Sequence, residues 1–215
     1  MAPIKQLLAR LSVAVFGLSA ATAMSPDANA TIDQATLIET LAAPEVVSWG
    51  RADRARLLRM FAADPRPAVR AEVARHVAEL PPPVPGAAIR LLAGLSGDAS
   101  VEVADAVACA LAVVVDREPG VRGASLTTKW ALSSRAGQRR AIAAALERPV
   151  AVAIAESVLA HLASDPCAEV RRAVARAAWA RRAGAAALYE PILERLSGDP
   201  DATTRETAQI ALGRA

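Results

Sequence analysis

Val158 to Ala178, VLAHLASDPCAEVRRAVARAA, decides the fold of this chain. Val158, Leu159 and Leu162 form an apolar stripe at helical spacing, Asp165-Pro166 interrupts it, and Val170, Val174 and Ala178 form a second stripe beyond the break. Proline is compatible with a helix start and incompatible with a helix interior, so the segment predicts helix, short turn, helix.

The same offsets recur four more times. Anchored on Asp64, Asp98, Ser133, Asp165 and Asp199, the pattern repeats after 34, 35, 32 and 34 residues. Seven, six and three residues before the anchors stand Leu57, Leu58, Phe61; Leu91, Leu92, Leu95; Leu126, Thr127, Trp130; and Ile192, Leu193, Leu196. Five, nine and thirteen residues after them stand Val69, Val73, Val77; Val103, Val107, Leu111; Gln138, Ile142, Leu146; and Thr204, Ala208, Leu212. Thr127, Gln138 and Thr204 are the polar exceptions. One helix pair cannot bury such stripes alone, so neighbouring pairs must stack around a continuous core. The expected fold is all-α, a solenoid of about five antiparallel helix pairs, with repeats near 50–80, 85–117, 123–148, 150–182 and 185–215 and an N-terminal capping helix.

At these residues the chain resembles the HEAT-repeat family, whose motif places an Asp in the turn and an Arg near the start of the second helix. Arg70, Arg139, Arg171 and Arg205 fall six residues after four anchors; Ala104 and Ser133 depart from the pattern. The resemblance implies that the Asp and Arg residues tie adjacent repeats into a ladder.

Composition agrees with this reading. Of 215 residues, 53% are hydrophobic and only 3% aromatic, which excludes a disordered polymer. No stretch alternates with period two, so strands are not expected. Arg outnumbers Lys 23 to 2, a bias that a GC-rich genome would produce by itself.

The first 30 residues read differently. Lys5 and Arg10 precede an uncharged stretch from Leu11 to Met24, followed by Ala28-Asn29-Ala30, an order that resembles a secretory signal. The stretch is short of the ~20 apolar residues a membrane span needs. Export to the periplasm is therefore favoured over a cytoplasmic location, and no membrane span is expected. The competing reading is a helix packed on the repeats. In either case the helix Ile32 to Leu41, with Trp49, is expected to close the N-terminal end of the stack. At the other end Thr203, Thr204, Thr207 and Gln209 give a polar outer face, and a monomer is expected.

Cys109 falls within a second helix and Cys167 in a turn two repeats away, so two free thiols are expected rather than a disulfide. His76 and His161 are isolated from both, which leaves no metal site and no cofactor site in the sequence. Paired carboxylates, nucleophile–base arrangements and glycine-rich phosphate loops are missing as well, so the sequence predicts a protein that is not an enzyme. The prolines between Leu80 and Ala88 read as a helix stop at a repeat junction. Asp116 to Ala124 reads as a second junction, leading into a degenerate third repeat.

Charge gives the functional expectation. Net charge is +3, yet residues 116–150 hold seven basic against three acidic residues, while 97–116 hold four acids and no base. If second helices line one face, Arg135, Arg139, Arg140, Arg171, Arg172 and Arg176 cluster across adjacent repeats as a partner-binding ridge. Such a ridge suits an acidic protein surface or a phosphate backbone. The first expectation is a scaffold or adaptor for an acidic protein. Resemblance to the HEAT-like alkylpurine DNA glycosylases implies nucleic-acid binding instead, and resemblance to the phycobilisome-lyase HEAT proteins implies a role in bilin attachment.

Overall fold

The computed structural model describes residues 51–118, 120–149 and 154–214, with side chains from residue 55 onward. The secretory-signal reading, the capping helix and Trp49 lie outside the described residues. Ten helices follow in strict alternation: α1 (Arg51–Ala62), α2 (Pro67–Glu79), α3 (Gly86–Leu95), α4 (Val101–Arg117), α5 (Val121–Ala131), α6 (Ala136–Ala145), α7 (Ala155–Leu162), α8 (Ala168–Arg182), α9 (Ala186–Leu196) and α10 (Ala202–Ala211). Each anchor sits in the turn of one pair, and the fold is a HEAT-like helical repeat solenoid.

The turns form for a local reason. In every repeat the anchor side chain accepts the backbone N–H two residues ahead: Asp64 from Arg66, Asp98 from Ser100, Ser133 from Arg135, Asp165 from Cys167 and Asp199 from Asp201, at 2.8 to 3.1 Å. These bonds satisfy one of the donors left open where the second helix begins. Ser133 therefore keeps the turn function of the aspartate it replaces.

Both stripes go into the core. Leu57, Phe61, Leu92, Trp130, Leu159 and Leu193 are buried on the first helices, and Val69, Val73, Val107, Ile142, Val170 and Val174 on the second. Leu91, Leu126 and Leu212 are half-buried against the same core. The polar exceptions are satisfied locally. Buried Thr127 donates to Gly123 O at 2.8 Å, buried Thr204 donates to Asp201 at 2.7 Å, and half-buried Gln138 accepts from the Ser133 hydroxyl at 2.5 Å. Thr204 is fully buried, which removes it from the expected polar outer face; its hydroxyl and its N–H both donate to Asp201 at the α10 N-cap, so it needs no solvent.

Alanines such as Ala71, Ala106, Ala141 and Ala173 let consecutive second helices approach closely, and these pack on one another far more extensively than consecutive first helices do. The second junction is also shorter than expected: α4 runs to Arg117 and α5 begins at Val121, so most of Asp116 to Ala124 is helical. Gly123 makes this possible, since a Cβ there would stand 2.9 Å from the carbonyl oxygens of Val115 and Glu118. Buried Glu118 then accepts the Val84 N–H at 2.7 Å and pins the proline-rich loop to the junction.

Candidate functional site

The six arginines of the expected ridge lie on α6 and α8 or at the α6 N-cap, but they do not form one surface of available charge. Arg139 donates through Nε and Nη2 to both oxygens of Asp165, at 2.5 and 3.0 Å, and Arg171 does the same to Asp199, at 2.7 and 3.0 Å. Arg70 repeats the geometry on Asp98. In each case Nη1 turns back to the arginine's own turn, donating to the carbonyl of Asp64, Ser133 or Asp165. One planar guanidinium thus closes its own turn and clamps the next, which three separate hydrogen-bond directions in a rigid fork allow and a lysine would not. The Asp165 and Asp199 carboxylates are 4% exposed, so these are interior rungs of the ladder.

The ladder explains the two departures from the repeat motif together. Each rung joins the arginine of one repeat to the aspartate of the following one. Ala104 and Ser133 are therefore the two halves of a single rung, between repeats two and three, and both are missing. There the chains approach directly: a Cβ on Gly137 would lie 2.4 Å from Ser96 O and 3.1 Å from Gly97 Cα. At the first repeat, Asp64 is filled by Arg66 from its own turn, at 2.8 and 2.9 Å.

Charge regulation follows these contacts. Burial alone would raise the Asp165 and Asp199 carboxyls, but the Arg139 and Arg171 forks and the turn N–H donors outweigh it and hold both below the ordinary carboxylate range. For Asp98 the Arg70 fork is the largest influence, and the net shift is again downward.

The other ridge members are also paired, on the more exposed side. Arg172 binds both oxygens of Asp201, at 2.6 and 2.8 Å, and holds that carboxyl low together with the Thr204 hydroxyl and N–H. Arg140 reaches Glu169 at 3.4 Å and Arg176 reaches Glu147 at 3.5 Å. Arg135 is exposed and has no carboxylate partner among the described residues. A second arginine set, missed in the sequence, serves the opposite edge, where Arg117 donates to Ala78 O, Arg181 to Leu146 O and Arg182 to Ala211 O. These cap the open carbonyls at second-helix C-termini. Their signal was the recurrence of Arg at the ends of long second helices.

Trp130 is core, whereas Trp179 is 47% exposed on α8, one turn beyond Arg176, and Ile210 on α10 is 44% exposed. Cys109 and Cys167 are both free and half-buried. Among the described residues no group of His, Cys, Asp or Glu could hold a metal ion, and no helix is long and apolar enough to cross a membrane.

The fold is similar to that of one solved structure in particular. AlkD2 from Streptococcus mutans superposes with a TM-score of 0.64 at 15% identity, over 98% of both chains. A designed armadillo repeat protein in complex with the peptide (KR)4 gives a TM-score of 0.42 at 19% identity, over 86% of this chain and 95% of that one. No protein-family model matches the sequence, and no curated protein matches it.

Proposed function

We propose that this solenoid is a noncatalytic scaffold that docks an acidic protein on its second-helix face, through the exchangeable arginines Arg140 and Arg176 with Arg135 beside them. The observation that supports this reading is the division within the ridge. Arg139 and Arg171 are committed to buried carboxylates, and leaving those unpaired is costly. Arg140, half-buried, and Arg176, exposed, hold the exposed Glu169 and Glu147 at 3.4 and 3.5 Å, in solvent-facing pairs of a kind worth ~0–1 kcal/mol. A partner carboxylate can displace Glu169 or Glu147 at little cost. Exposed Trp179 and Ile210 beside them offer the apolar contact that a docking face needs.

Fluorescence anisotropy with a short polyglutamate peptide and, separately, a DNA duplex checks this reading. Peptide binding is expected to weaken about threefold to tenfold in Arg140→Ala with Arg176→Ala, in line with roughly 1 kcal/mol of lost pairing, while the melt stays in place. Arg172 is left out of this variant because its fork on the α10 cap makes it part of the fold. Tighter binding of the duplex, with a steep loss of affinity as salt rises, would replace the acidic-protein reading with a nucleic-acid one.

A further inference from the structure

The first helices carry a second group of cations that the ridge does not include. Four residues before their anchors stand Lys129, His161 and Arg195, at the same register on α5, α7 and α9. In contrast to the arginines of α6 and α8, these three have no carboxylate partner among the described residues. His161 and Arg195 face a cleft of about 690 Å³ between the turns of repeats three and four, bordered by Leu132, Ser134 and Ser164. That volume lies within the range of small-ligand and side-chain pockets, roughly 300–1,000 Å³.

The cleft has a definite sign. The Arg139 and Asp165 pair forms part of its wall, yet the two are closed on each other: Asp165 accepts from Arg139 and from the Cys167 N–H, and the remaining arm of Arg139 donates to Ser133 O. The wall therefore adds no net charge, and Arg195 sets the potential. Its Nη1 donates to the Ser164 hydroxyl at 2.8 Å, which fixes the guanidinium at the mouth; its other N–H groups have no partner among the described residues. Leu132 supplies an apolar contact. The residue before the other anchors is Ala63, Gly97, Ser164 or Gly198, so only repeat three places a large side chain there, and it is 66% exposed.

We propose that this cleft binds an acidic peptide segment, with Arg195 taking a Glu or Asp carboxylate and Leu132 covering an adjacent apolar side chain. The assignment rests on the reading of the protein as a scaffold for an acidic partner, and gives that partner a second contact on the turn edge. An exposed, singly tethered guanidinium is available to form charge-assisted bonds to a carboxylate, whereas the ladder arginines have none to spare. His161 lines the same cleft.

Fluorescence polarisation on the full chain, with labelled acetyl-Glu-Leu-Glu-Leu-amide and its Gln-Leu-Gln-Leu counterpart, tests the site. Arg195→Gln is expected to weaken the Glu peptide about tenfold or more, the usual loss when a hydrogen bond to a charged group is removed, and Leu132→Ser is expected to weaken both peptides. Helical content by circular dichroism should be unchanged in both variants, since each side chain is exposed. Equal binding of the Glu and Gln peptides, or no effect of Arg195→Gln, would overturn the assignment. Loss of binding only in Arg140→Ala with Arg176→Ala would overturn the cleft and keep the second-helix face; insensitivity to all of these substitutions would remove both. If inorganic phosphate binds in an Arg195-dependent manner and the Glu peptide does not, the cleft is a small-anion site and the peptide assignment fails.

Discussion

The interface between repeats two and three and the two interfaces that follow it are joined in different ways. Repeats three to four and four to five are linked by Arg139 on Asp165 and Arg171 on Asp199, each a bidentate pair around a buried carboxylate. Repeats two and three have Ala104 and Ser133 at the matching offsets and are joined by backbone proximity, with Gly137 against Ser96 and Gly97. Adjacent repeats in this stack are thus joined in two ways, by a charged rung or by direct backbone approach. Where both charges are lost together no orphan is left behind, and a glycine lets the helices close the space. Losing only one charge would have left the other buried and unpaired, which is the expensive outcome.

This contrast can be broken by attacking each interface with its own type of lesion. Arg139→Ala strands the Asp165 carboxylate and is expected to cost about 3–5 kcal/mol in urea unfolding, the usual price of uncovering one member of a buried pair. Gly137→Ala is expected to cost about 1–3 kcal/mol, because a methyl group placed 2.4 Å from Ser96 O forces the α6 start away from the second turn. An unchanged melt for Gly137→Ala would mean that the interface has slack and that glycine there is incidental.

A milder probe is acid. Asp98, Asp165 and Asp199 have folded-state values below the ordinary 3.8, so the stability they contribute is fully present above that value and is lost as pH falls through their lowered values. Asp165→Asn should therefore be less stable than the parent at neutral pH and should show a shallower decline below about pH 4. Parallel declines in the two proteins would show that the rung does not set the acid sensitivity.

The repeats were legible in sequence because apolar stripes with helical period and a polar turn are local signals. Even the degenerate third repeat kept Trp130, Ile142 and Leu146 in register. The meaning of the arginines was less legible, because it depends on which carboxylate of the next repeat each guanidinium meets. Arg139 and Asp165 are 26 residues apart, Arg172 and Asp201 are 29 apart, and only the stacked structure brings them together. A ridge that looked like open charge became partly a ladder and partly a set of exposed pairs. Thr204 misled for a related reason: its polarity suggested solvent, whereas its hydroxyl is consumed by Asp201 next to it. Lys129, His161 and Arg195 share one register on the first helices, one cation per repeat, a sparser signal than the clustered arginines of the second helices.

The distinction between committed and exchangeable arginines is tested most directly by a double-mutant cycle in urea unfolding, on Arg171 and Asp199 and in parallel on Arg140 and Glu169. The rung should show a coupling of about 1.5–3 kcal/mol, as expected for hydrogen bonds between charged groups, and the exposed pair about 0.5 kcal/mol or less. Equal couplings at the two sites would contradict the division on which both the fold and the docking face are argued.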